Sequence, residues 1–168
     1  PGFDMTFFEY PGAAPGRAGA GMVHTVAFRV GSEAALDFWS PRLADEGRDP
    51  SRDGNILRFT DPEGLHLELI AEDVPDAPLL PVAPDIPAAF AIRGFAGVRA
   101  YTVDAERSRP MLEEVLGFTA DEEIAHRFEA RGTERGGWIA YDAPPAERGI
   151  AGAVLGDISE QLPHDIEL

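Results

Sequence analysis

The sequence predicts an α+β fold made of two βαβββ modules. Three observations predict it. The run Met22–Val30 reads as a strand and is followed by a helix and further strands. That pattern recurs at a steady offset: Thr25 matches Gly97, 72 positions on, and Gly64 matches Gly137, 73 positions on. A Gly/Ala/Pro linker over residues 10–21 is echoed over residues 141–153. A period this long, repeated once, points to a duplicated supersecondary unit rather than a solenoid.

Each element has its own signal. Met5–Tyr10 is rich in aromatics and reads as a short strand; Pro11–Gly21 is a linker. Ser32 is placed to cap a helix over Ala34–Glu46, whose apolar residues Ala35, Leu36, Trp39 and Leu43 fall close to helical spacing. Pro41 is expected to kink or shorten that helix. Asn55–Phe59 and Leu65–Ile70 are strands around the turn Asp61–Gly64. Asp73–Pro87 is a Pro-rich connection. The second unit runs through a strand at Phe95–Thr102 and a helix from Asp104 to about Leu116, with Gly117 at its end. Strand-like runs follow at Thr119–Ile124, His126–Ala130 and Gly136–Tyr141.

Composition narrows the function. The chain has 168 residues, 44% of them hydrophobic and 26% charged, which suits a folded domain. The net charge of −16 would repel nucleic acid and anionic membranes. No apolar run approaches the roughly 20 residues of a membrane helix, and no signal peptide is recognisable, so a cytoplasmic protein is expected. The absence of cysteine excludes disulfides, thiolate metal sites and Cys nucleophiles. All 14 basic residues are arginine.

Several strings carry a family resemblance: Thr6–Gly12 (Thr-Phe-Phe-Glu-Tyr-Pro-Gly), Gly16–His24, Leu36–Trp39, Asp61–Gly64 and Ala91–Phe95. In these the chain resembles the vicinal-oxygen-chelate superfamily, which includes glyoxalase and bleomycin-resistance proteins. It is most similar to the ring-cleaving dioxygenases of hydroquinone and catechol type. The resemblance implies a cupped mixed sheet formed by paired modules. It also implies a parent enzyme of four modules, with Fe(II) or Mn(II) held by two His from modules one and four and a Glu from module four. On that pattern residues 1–10 are the last strand of a preceding module and 11–21 a linker. Residues 22–74 form one module, 75–94 a Pro-rich linker, 95–143 a second module, and 144–168 a linker and an anomalous acidic tail. The chain then corresponds to modules two and three, paired with each other, and reads as a fragment without the metal centre.

Two imidazoles and one carboxylate on one face make a non-heme iron site. Glu68 sits where the family's metal-binding Glu sits within a module, and His24 lies on the first strand, so these two are the candidates for a metal. On the family's module pattern, however, the ligand position falls on Thr25, and strand alternation turns its neighbour His24 the other way. His66 is expected to face away from Glu68. In the second module the ligand positions are expected at Gly97 and Tyr141. No metal ligand set is therefore assigned. Tyr101 and Tyr141 could donate to a phenolic ligand in the cup, and Arg93 could anchor an anion. Trp39 is expected in the core, Asp121–Glu123 in a solvated turn, and His126 and His164 in solvent.

The expected function is that of a piece of an extradiol-type dioxygenase acting on dihydroxylated aromatics, inactive alone, with Fe(II) or Mn(II) in the parent and none bound here. The alternative is a stand-alone module that binds or sequesters a small molecule. Exposed apolar surface is expected to drive dimerisation or self-association.

Overall fold

The computed structural model describes residues 4–8, 11, 12, 14, 16–146, 148 and 149. Among them eight strands form one sheet: β1 (Val23–Val30), β2 (Ser51–Asp53), β3 (Ile56–Thr60), β4 (His66–Ala71), β5 (Phe95–Tyr101), β6 (Thr119–Ala120), β7 (Arg127–Arg131) and β8 (Gly136–Asp142). Their spatial order is β2-β3-β4-β1-β5-β8-β7-β6. Helix α1 (Glu33–Asp45) follows β1, and helix α2 (Ala105–Pro110) follows β5.

The order is a palindrome of two like halves. β1 pairs parallel with β4, and β5 pairs parallel with β8. The halves meet where β1 and β5 pair antiparallel, with Val26 opposite Val98. Those two residues are 72 positions apart, so the pseudo-twofold passes between equivalent residues. The register also corrects the offset expected at β8. Thr25 pairs with His66, and Gly97 pairs with Trp138. The spacing is the same in both halves, so 72 holds throughout. The counterpart of Glu68 is Ala140, not Tyr141.

The ladder between β1 and β5 is broken twice. The register shifts between Val23 and Thr25, leaving His24 as an extra residue on β1. It shifts again between Ala27 and Phe28, leaving Ala96 as an extra residue on β5. His24 and Ala96 are themselves 72 positions apart, so the bulge is part of the repeat. A bulge lets two consecutive side chains escape strict alternation.

Burial explains the layers. Phe28, Val30, Leu57 and Leu69 point to one face, where Ala35 and Leu36 of α1 cover them and Trp39 packs alongside. Trp39 Nε1 donates to the Phe90 carbonyl at 2.8 Å, as a half-buried indole should. Ser32 caps α1 by accepting from the Ala35 N–H. Pro41 lies inside α1, which continues past it to Asp45. The opposite, concave face carries Ala27, Ile70, Trp138 and Ala140 at its centre.

Other expectations also change. The stretch Met5–Phe8 is irregular rather than a strand, and Glu9 and Tyr10 lie outside the described residues. The short β2, too polar to be read as a strand, completes the first half. The strand at Thr119 ends at Ala120, because the Asp121 side chain accepts from the N–H groups of Glu123 and Ile124 and turns the chain. The second helix is α-helical only to Pro110; Met111–Val115 form a π-helical turn, closed by a bond from Leu116 N–H to the Met111 carbonyl. Gly117, at φ 71, ends it in the left-handed region.

Candidate functional site

The concave face acquires its chemistry by alternation. On β4, His66 and Glu68 are two positions apart and share that face. The expectation that His66 turns away from Glu68 is therefore corrected. β1 contributes Thr25, β3 contributes Arg58, and β5 contributes Arg99 and Tyr101. With Asp49, Ser51 and Thr60 they line an open cavity of about 550 Å³. His24 lines it too. Alternation alone would have turned His24 away from Thr25, and the bulge brings both to the cup.

Two guanidinium–carboxylate pairs dominate the floor. Glu68 is buried, and it accepts from Arg58 Nε at 3.0 Å. Arg58 Nη1 donates to Asp53, also at 3.0 Å. The hydrogen bond to Asp53, with support from Glu68, holds the Arg58 guanidinium above its ordinary pKa. Arg99 grips Asp142 with two bonds, Nε at 2.8 Å and Nη2 at 2.7 Å. This fork geometry is the strongest form of such a pair. Burial pushes the Asp142 carboxyl up, but the Arg99 hydrogen bonds and charge outweigh it, with His24 adding to them. The result lies below the usual carboxylate value.

His24 joins this network. Its Nε2 lies 3.0 Å from Asp142 Oδ2, its Nδ1 lies 3.0 Å from Thr25 Oγ1, and its ring stacks on Tyr101 with centroids 3.9 Å apart. Burial lowers the pKa of the imidazole, and the opposing pull of Asp142 does not restore it. The neutral ring is thus favoured.

The donor set does not fit the metal that the family resemblance implies. Glu68 already carries Arg58, and both ring nitrogens of His24 are engaged inside the protein. A divalent cation at Glu68 would stand beside guanidiniums. Among the described residues, no group of three or more His, Asp or Glu could hold a metal ion. The corresponding place in the other half holds Gly97 and Ala140, which offer no ligand.

The remaining candidates scatter. Tyr141 packs edge-on against Phe128 and does not line the cup. Trp138 is buried over Gly97, where a Cβ would meet the indole, and the Arg127 guanidinium lies over its ring at 4.8 Å. The Arg93 guanidinium lies against Gly31 and forms no ion pair among the described residues. His126 is exposed, and His164 lies outside the described residues. Sequence reasoning missed Arg58, Arg99 and Asp142, whose meeting is decided by strand pairing across the repeat.

The chain is 34% identical over 125 residues to the provisionally named ring-cleaving dioxygenase MhqA of Bacillus subtilis, covering 71% of this chain and 40% of that one. It is 31% identical over 163 residues to MhqO of the same organism, likewise provisionally named a ring-cleaving dioxygenase, covering 91% of this chain and 50% of that one. A crystal structure of a provisionally assigned Bacillus subtilis dioxygenase superposes with a TM-score of 0.73 at 26% identity, over 88% of this chain and 48% of that one. No family profile matches the chain. The chain spans half the length, or less, of the curated relatives it matches. The cupped sheet of two like halves agrees with the resemblance to the vicinal-oxygen-chelate superfamily, and the chain is similar in sequence to proteins named ring-cleaving dioxygenases.

Proposed function

We propose that the chain is the metal-free pair of modules of a ring-cleaving, extradiol-type dioxygenase, and that its cup binds a hydroxylated aromatic without oxidising it. The observation that carries this reading is the Arg58–Glu68 pair, which puts a guanidinium where the family pattern would put a metal. The span of half the length of the relatives supports a role as part of a larger enzyme. The parent would use Fe(II) or Mn(II) in its other modules. No helix of the described residues is long and apolar enough to cross a membrane. A cytoplasmic setting is part of the proposal. So is self-association, supported by the exposed Met111, Val115 and Leu116 after α2.

Oxygen uptake tests the reading. The chain, supplied with catechol or hydroquinone and with Fe(II) or Mn(II), is expected to consume no oxygen above the metal blank. Turnover abolished by Glu68→Ala would overturn it. A second reading, a sequestering module that works alone, is favoured by the open 550 Å³ cavity, which needs no metal to admit a ligand. Tight binding of a small aromatic by the isolated chain, unaltered by any partner protein, distinguishes the two.

A further inference from the structure

Beside the cup runs a hydroxyl–imidazole–carboxylate chain, Thr25–His24–Asp142. Asp142, an ionised carboxylate, can only accept hydrogen bonds. Its neighbour His24 Nε2, at 3.0 Å, must therefore carry a proton. In a neutral ring the lone pair is then on Nδ1, and Thr25 Oγ1, at 3.0 Å, donates its hydrogen there. The lone pairs of Thr25 are left to accept from whatever occupies the cavity that Thr25 lines. Thr25 lies directly opposite Arg99 on the neighbouring strand. Arg99 Nη1 and Arg58 Nη2 have no partner among the described residues, although both side chains line the same cavity.

We propose that the cup is a site for an acidic hydroxyl, phenolic or enolic. There the ligand's proton passes through Thr25 to His24, and Arg58 and Arg99 hold the oxyanion. The ligand O–H bond breaks as a new Thr25 Oγ1–H forms. The original Thr25 O–H breaks as His24 Nδ1–H forms. The electron pair stays on the ligand oxygen. Asp142 faces the resulting imidazolium, and the two guanidiniums face the oxyanion. Burial leaves His24 neutral and so available to accept, and the Asp142 hydrogen bond and charge favour the imidazolium once it forms. The other ionisable groups around the relay are His66 and Glu68 on β4, Tyr101 on β5 and Asp49 before β2.

This inference rests on the reading that the cup binds a hydroxylated aromatic, and one probe separates the two. That probe is 4-nitrophenol, whose anion is yellow. Binding is read by equilibrium dialysis, ionisation by absorbance, and proton release by a pH indicator in weak buffer. The expected result is binding with the ligand's apparent pKa lowered by about one unit, a tenfold preference for the anion. Colour should develop without an equivalent release of protons, since His24 retains them. His24→Gln and, independently, Thr25→Val should still bind and ionise the ligand against Arg58 and Arg99, but with one proton released for each anion formed. Binding with an unchanged pKa, or colour with full proton release in the unsubstituted chain, overturns the relay and leaves the binding reading in place. Failure to bind overturns both.

Discussion

Arg58 decides the character of the concave face. It is part-exposed, while its partner Glu68 is 7% exposed at the side chain. Arg58→Ala would leave a buried carboxylate without its donor, a loss of about 1–3 kcal/mol, readable by urea denaturation. Removing both groups, as Arg58→Leu with Glu68→Leu, should recover most of that, because a buried pair replaced by apolar groups is often neutral. His24 adds a pH dependence with a defined sign. Folding lowers its pKa below the ordinary 6.5, so its contribution is complete above pH 6.5 and is lost as the pH falls from there toward the folded value. Asp142 is depressed below 3.8, so its contribution holds above that pH and is lost only at stronger acidity. Thermal stability should therefore start to decline just below pH 6.5, and His24→Gln should flatten that first decline. An unchanged profile in the variant would contradict the assignment.

At the scale of elements, the central ladder matters most. Gly97 on β5 lies under the indole of Trp138 on β8, and a Cβ there would meet both the ring and the Trp138 carbonyl. Backbone cannot yield as a flexible side chain can. Gly97→Ala should cost about 1–3 kcal/mol, measured by denaturant midpoint. The elements differed in how far sequence could reveal them. The strands flanking the repeat axis were legible because Val26 and Val98 sit in matching apolar alternations. The bulge at His24 was not, because nothing in Val-His-Thr-Val distinguishes an extra residue from a ladder residue. Its signature lies in the β1–β5 pairing. His66 and Glu68 could have been assigned to one face from their spacing alone. Arg58, Arg99 and Asp142 come from three strands, and only the register brings the first two beside the cup and the third onto Arg99. The π-helical turn after Pro110 was equally hidden, since its apolar spacing also fits an ordinary helix.

For the whole molecule, the two halves are joined by more than the central ladder. Arg29 of β1 is buried and donates to Asp76 at 3.0 Å and to the carbonyls of Phe95 and Gly136 in the second half. Asp76, in the connection between the halves, also accepts from Arg131 at 2.6 Å and from the Gly136 N–H at 3.0 Å. Its side chain is 4% exposed. Asp76→Ala should cost about 1–3 kcal/mol, because Arg29 keeps Glu72 and its two carbonyl acceptors while the Gly136 N–H loses its buried acceptor. Calorimetry is then expected to show the single transition of the wild type broadened or split as the halves uncouple. The central claim is that arginine, not a metal, completes the concave face, and metal stoichiometry tests it most directly. The chain is incubated anaerobically with Fe(II), and separately with Mn(II), then desalted and analysed for bound metal. Near-zero occupancy is the predicted result. Occupancy near one per chain, or one per two chains, lost in Glu68→Ala, would contradict the account.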